Sequence, residues 1–128
     1  MRRLAIFIVL LSLTGCADET ISGYADPEAV YRLISIDDAP FTASATIAFP
    51  EEGLVRGNAP CNIWSGSQTA PYPWFAPGPM MKTERACAHM EEEALFFSTL
   101  GDMTLAEVQG DVLILSNEAG REMVFERE

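Results

Sequence analysis

Cations are scarce in this chain of 128 residues: 8 Lys and Arg stand against 19 Asp and Glu, with a single His. A formal net charge of −11 leaves nothing to neutralise a row of phosphates, which excludes nucleic acid as a partner. The same charge repels anionic headgroups, so surface electrostatics cannot hold the protein to a membrane. Histidine chemistry is equally thin. His89 lies two residues from Cys87, and on a helix two such side chains diverge by about 200°, so this spacing does not assemble a Cys–His nucleophile pair. The sequence has no Cys-x-x-Cys, phosphate-cradling glycine loop, zinc signature or EF-hand loop. Its carboxylates show no spacing that selects an acid and a base; Glu91, Glu92 and Glu93 read as a solvated helix face. These absences describe a protein that is not an enzyme and carries no metal and no cofactor. Length limits it to one domain, and a hydrophobic fraction of 48% argues against disorder despite the charge.

What is there begins at the N-terminus. Met1-Arg2-Arg3 precedes an apolar run over residues 4–13, too short to cross about 30 Å of hydrocarbon but of the length and flanks of an export signal. Leu13-Thr14-Gly15-Cys16 then resembles the lipobox read by the bacterial lipoprotein signal peptidase. The resemblance implies cleavage after residues 1–15, a diacylglyceryl thioether on Cys16 and N-acylation. Several acyl chains anchor firmly where one binds only reversibly. Ala17 after the cysteine points to the outer membrane, with the protein on its periplasmic side. Loss of Arg2 and Arg3 would make the net charge of −11 more negative by a further two units. Residues 16–29 read as the lipidated cysteine and a flexible polar tether, and residues 30–128 as the domain.

An odd count of three cysteines becomes even once Cys16 carries lipid, leaving Cys61 and Cys87 in an oxidising compartment. A bridge between them would close a loop of about 26 residues, worth about 3–4 kcal/mol by loop entropy. Two free thiols and a metal pair are the alternatives, and two Cys with one His make a poor zinc set.

Residues 30–36 are β-branched and aromatic, residues 42–49 alternate as a half-buried strand does, and residues 54–57 return after the turn at Pro50-Glu51-Glu52-Gly53. The proline-rich stretch 57–78 excludes a central strand. Residues 84–100 read as one helix capped by Thr83 and stopped by Gly101, with Cys87, Met90, Ala94 and Phe97 forming its apolar stripe. Residues 102–108, 112–116 and 122–126 are further strands joined by short turns. The predicted fold class is α+β: a mainly antiparallel, strongly curved or barrel-like sheet with one helix, about 84–100, packed on it.

Two segments carry a family likeness. Gly57-Asn58-Ala59-Pro60-Cys61-Asn62-Ile63-Trp64-Ser65-Gly66 resembles the G-x-x-G-C-N-x-x-[SG]-G segment of the META-domain family, also called HslJ-like proteins. Met81-Lys82-Thr83-Glu84-Arg85-Ala86-Cys87 resembles that family's T-x-M-A-C segment. The flanks agree, with Tyr31-Arg32-Leu33 at the opening strand and Leu113-Ile114-Leu115 and Phe125 at the close. Pro60 and Arg85 depart from the usual Gly and Met, and residues 72–79 replace a polar turn with prolines and aromatics. The resemblance spans roughly residues 30–127 and implies a compact α+β unit, commonly a lipoprotein or periplasmic protein, linked to heat shock and envelope stress, with no assigned activity.

Trp74 and Phe75, adjacent on the proline-rich loop, are the candidate binding residues; the alternative is that both plug the core. The functional expectation is a monomeric, non-catalytic envelope lipoprotein in maintenance, stress response or binding, held to the membrane by the lipid on Cys16 and meeting an unidentified protein or envelope partner. The competing expectation is an acidic inhibitor or scavenger of cationic proteins such as lysozyme, motivated by the net charge.

Overall fold

The computed structural model describes residues 17–128. The apolar leader and Cys16, and with them the lipidation reading, lie outside the described residues. The strands are β1 (Tyr31–Ile36), β2 (Ala39–Pro40), β3 (Thr46–Ile47), β4 (Gly53–Asn58), β5 (Ile63–Gln68), β6 (Met81–Lys82), β7 (Leu105–Gln109), β8 (Val112–Ser116) and β9 (Glu122–Arg127), with helix α1 (Met90–Asp102) between β6 and β7. All their pairings are antiparallel. One sheet runs β2-β1-β9-β8-β7 with β3 also on β1, and a second runs β4-β5-β6. The architecture is therefore mainly antiparallel β with one helix. Its two sheets do not close into a barrel; the isolated bridge Ala48–Arg56 joins the end of β3 to β4, and Trp74–Leu105 pairs the loop after β5 with β7.

The large sheet is built from period-two patterning. Register sets Leu33 opposite Phe125, Phe125 opposite Leu113 and Leu113 opposite Val108, one apolar row across four strands. Such cross-strand rows are the unit of sheet stabilisation. Leu33, Leu113, Leu115, Met123 and Phe125 are all buried, each worth about 1.5–3 kcal/mol by transfer from water. The β7–β8 hairpin turns at Gly110, whose φ of 57° is the left-handed conformation that glycine adopts without strain. The β1–β2 turn is made instead by Asp37 and Asp38, with φ of 49° and 66°. Aspartate tolerates this region because its short side chain bonds locally, and the Asp37 carboxylate accepts the Glu122 N–H at 2.9 Å.

Residues 42–49 differ from the alternating strand expected of them. Only Thr46–Ile47 pairs as a strand, and residues 45–49 are all buried. The segment is the joint between the sheets: Leu33 N–H donates to the Ala45 carbonyl on one side, and Ala48 exchanges both backbone bonds with Arg56 on the other. Covered on both sides, it loses the polar face. The joint is tight, since a Cβ on Gly57 would lie 1.9 Å from the Thr46 carbonyl oxygen.

The helix starts at Met90, with His89 as its N-cap, not at residue 84 behind a Thr83 cap. The reason is Asn62. Its Oδ1 accepts the Arg85 N–H at 2.6 Å and the Thr83 hydroxyl at 2.9 Å, and its Nδ2 donates to the Arg85 carbonyl at 3.1 Å. The Arg85 carbonyl, which a helix starting there would need as an acceptor, and the Thr83 hydroxyl, its expected cap, are thereby committed elsewhere. The buried face is Glu93, Phe96, Thr99 and Leu100, displaced from the expected stripe. Cys87, Met90 and Ala94 are exposed and Phe97 is half-buried. Phe96 packs on Trp64 at 5.9 Å between ring centroids.

From Asp18 onward the expected tether belongs to the fold. Thr20 bridges Pro71, residues Ile21–Gly23 form a 3-10 turn, and Ile21 is only 1% exposed in the core. Asp18 Oδ1 accepts the Thr20 N–H at 2.9 Å and its hydroxyl at 2.6 Å, while Oδ2 accepts the Ser22 hydroxyl. Desolvation pushes the Asp18 pKa upward, but the Ser22 and Thr20 hydrogen bonds outweigh it and hold the carboxyl below its ordinary range.

Candidate functional site

Cys61 and Cys87 form a disulfide with Cα atoms 5.5 Å apart. It ties the loop after β4 to the irregular segment before α1, and a latch of side chains lies beside it. Glu93 Oε1 accepts the Cys61 N–H at 3.1 Å, and Oε2 accepts Asn62 Nδ2 at 2.8 Å. Glu93 is 2% exposed, so it corrects the reading of residues 91–93 as a solvated face: Glu91 and Glu92 border the helix N-terminus, where the dipole favours them, while Glu93 turns inward. Asn62 and Glu93 are the structural residues that sequence reasoning missed. A signal for Glu93 existed, since residues 93, 96 and 100 fall at i, i+3 and i+7 on one helix face.

His89 is exposed, with Nδ1 3.6 Å from Glu92 Oε1. Cys87, being bridged, offers no thiol beside it. Among the described residues no group of three or more His, Cys, Asp or Glu is arranged to hold a metal ion. No helix among them is long and apolar enough to cross a membrane.

Trp74 and Phe75 part company. Phe75 is 1% exposed and belongs to the core, which removes it as an exposed anchor for a partner, whereas Trp74 is 53% exposed. The physical reason is that the backbone here runs as a strand-like edge on β7, where successive side chains point to opposite faces. Trp74 bridges Leu105, the Phe75 N–H donates to the Thr104 carbonyl at 2.9 Å, and the Ala106 N–H donates to the Pro73 carbonyl at 2.8 Å. Gln68, itself buried, fixes the same stretch from β5: its Nε2 donates to the Trp74 carbonyl at 3.2 Å and its Oε1 accepts the Ala76 N–H at 3.1 Å.

A second exposed aromatic, from the N-terminal segment, packs against the same proline-rich stretch. Tyr24, 55% exposed, stacks on Tyr72 with ring centroids 4.2 Å apart, and the Tyr72 hydroxyl oxygen accepts the Val108 N–H at 3.1 Å. Tyr72 is thus held from beneath and supports Tyr24. Flat aromatic surfaces held on fixed backbone, each with a polar handle, suit contact with a partner's apolar surface or a sugar ring. Sequence reasoning found Trp74 but not Tyr24, which lay in the supposed tether.

The META domain family model matches residues 27–128. No curated protein matches the chain by sequence. Similar solved structures include one determined by NMR for a protein from Burkholderia xenovorans, with a TM-score of 0.63 and 18% identity over 88% of this chain and 83% of that one. A second NMR structure gives a TM-score of 0.62 and 20% identity, covering 80% of this chain and 94% of the other. At such identities the likeness is one of fold.

Proposed function

The chain belongs to the META-domain family, and on that footing we propose that it is a lipid-anchored, non-catalytic protein of the bacterial cell envelope that acts by binding. The anchor is the acylated Cys16, and the side chain that meets the partner is Trp74. The observation that carries the binding role is Trp74's setting: a large apolar side chain, 53% exposed, on backbone pinned by Gln68, Thr104 and Ala106. Exposing an indole costs hydrophobic free energy, and fixing its backbone in advance lowers the entropy lost on association. Tryptophan is also among the residues that dominate interface energies. The anchoring half of the proposal rests on the lipobox-like Leu13-Thr14-Gly15-Cys16, and an outer-membrane position facing the periplasm on Ala17 behind it.

Photocrosslinking in cells tests the binding role. A benzoylphenylalanine placed at position 74 of the full chain is expected to give a discrete adduct with an envelope component, and the same probe at exposed Pro79 is expected to give none. Adducts equally frequent from both positions, or absent from position 74, would refute it.

A further inference from the structure

A cleft of about 550 Å³ opens between the loop that follows Trp74 and the C-terminal half of α1. Its walls are apolar: Phe75, Pro77 and Met80 on one side, Phe97 and Met103 on the other. Phe75 and Met103 form its floor, both being buried. The volume falls within the range of about 300–1,000 Å³ typical of small-molecule sites. On its rim sits Lys82, the one lysine in the sequence, with Nζ 4.7 Å from the Phe97 ring centroid. Among the described residues the ion pairs are His89–Glu92, Arg121–Asp37, Arg121–Asp102 and Arg127–Asp26. Lys82 pairs with no carboxylate among them, although the protein carries 19.

We propose that this cleft binds a small amphiphile bearing a single carboxylate, its hydrocarbon body between Met80 and Phe97 and its acid on the Lys82 ammonium. Charge complementarity selects the class. One compact cation, the one charged residue lining the cleft, matches one monoanion, whereas a dianion such as a phosphate monoester would leave a second negative charge unmatched on a chain of formal net charge −11. The ammonium is held over an aromatic face, which supplies part of its partnering without neutralising it. A carboxylate completes that partnering with a charge-assisted hydrogen bond, while the alkyl or aryl body covers apolar wall now exposed to water. The site is independent of the Cys16 anchor and of Trp74, so either proposal can fail alone.

The test is titration of the protein with decanoate, and with decan-1-ol as its uncharged counterpart, followed by methionine methyl NMR. Decanoate is expected to shift the Met80 and Met103 methyls and leave Met123, buried in the large sheet, unmoved. Lys82→Met, which keeps the stem and removes the charge, is expected to weaken decanoate at least about tenfold and to leave decan-1-ol unchanged. Gly101 also lines the cleft, and a Cβ there meets nothing within 4 Å. Gly101→Leu should therefore fold and fill the space, abolishing the binding of both compounds. Equal affinity for decanoate and decan-1-ol, undiminished decanoate binding by Lys82→Met or Gly101→Leu, or the absence of shifts at Met80 and Met103 would each overturn the proposal.

Discussion

Glu93 Oε2 and Asn62 Nδ2 lie 2.8 Å apart across 31 residues of sequence, and both residues are buried. This contact fastens helix α1 to the segment that carries the disulfide. Removing Glu93 leaves one N–H of the buried Asn62 amide without its acceptor, the other staying on the Arg85 carbonyl, and frees the half-buried Cys61 N–H. An unpaired buried donor costs about 1–3 kcal/mol. Glu93→Ala is therefore expected to lower Tm by roughly 10 °C, since each kcal/mol is worth about 4–8 °C in a small domain. A double-mutant cycle with Asn62→Ala should return a coupling of about 0.5–3 kcal/mol. Additive losses in calorimetry would mean that the two side chains do not act as a latch.

Adjacent aromatics should respond oppositely. Phe75→Ala empties a core position and is expected to cost about 3–5 kcal/mol. Trp74→Ala, at an exposed position, is expected to change stability by no more than about 0.5 kcal/mol. Urea denaturation of both variants checks this, and comparable losses would contradict the opposed orientations.

Reduction of the Cys61–Cys87 bridge releases a loop of 26 residues in the unfolded chain. The expected loss is about 2–4 kcal/mol, measured as the difference between denaturation curves with and without dithiothreitol. The Glu93 latch spans the same junction, so Glu93→Ala and reduction together are expected to cost more than their sum. Strict additivity would show that latch and bridge are independent.

Asp37 gives a pH dependence. The Glu122 N–H and then the Arg121 guanidinium, 3.0 Å away, hold its carboxyl below the ordinary aspartate range. A carboxylate with a depressed folded pKa stabilises the protein above its unfolded value, about 3.9, and that stability is lost as pH falls through the folded value. Asp37→Asn is expected to be less stable than wild type at pH 7, with the difference narrowing as pH falls below 4. Asparagine keeps the tolerance for positive φ, so the comparison isolates charge. A difference independent of pH would contradict the assignment.

Much of the large sheet was legible in the sequence, because β1, β8 and β9 each show one face to the core, and alternation reports that directly. The ends of α1 fared unequally. Its C-terminal region was marked by Gly101, but its start was set by Asn62, whose hydrogen bonds to Thr83 and Arg85 come from a residue more than twenty positions away. Propensity and capping are local signals and carry no trace of such a capture. The same limit hid the burial of Glu93, whose partners lie on another element. Trp74 and Phe75 were recognised as a pair, but which one faces outward depends on the register of their segment against β7. Ile21 was missed for a different reason: one apolar residue in a polar run has no period. The Asp18-x-Thr20-x-Ser22 spacing, through which a carboxylate organises a turn, was the signal available.

The anchoring claim is tested most directly by intact mass spectrometry of the native protein extracted from membranes. Expected is a chain beginning at Cys16, heavier than its amino-acid mass by a diacylglyceryl group and one further acyl chain. A mass that includes residues 1–15, or an unmodified thiol at position 16, would contradict it.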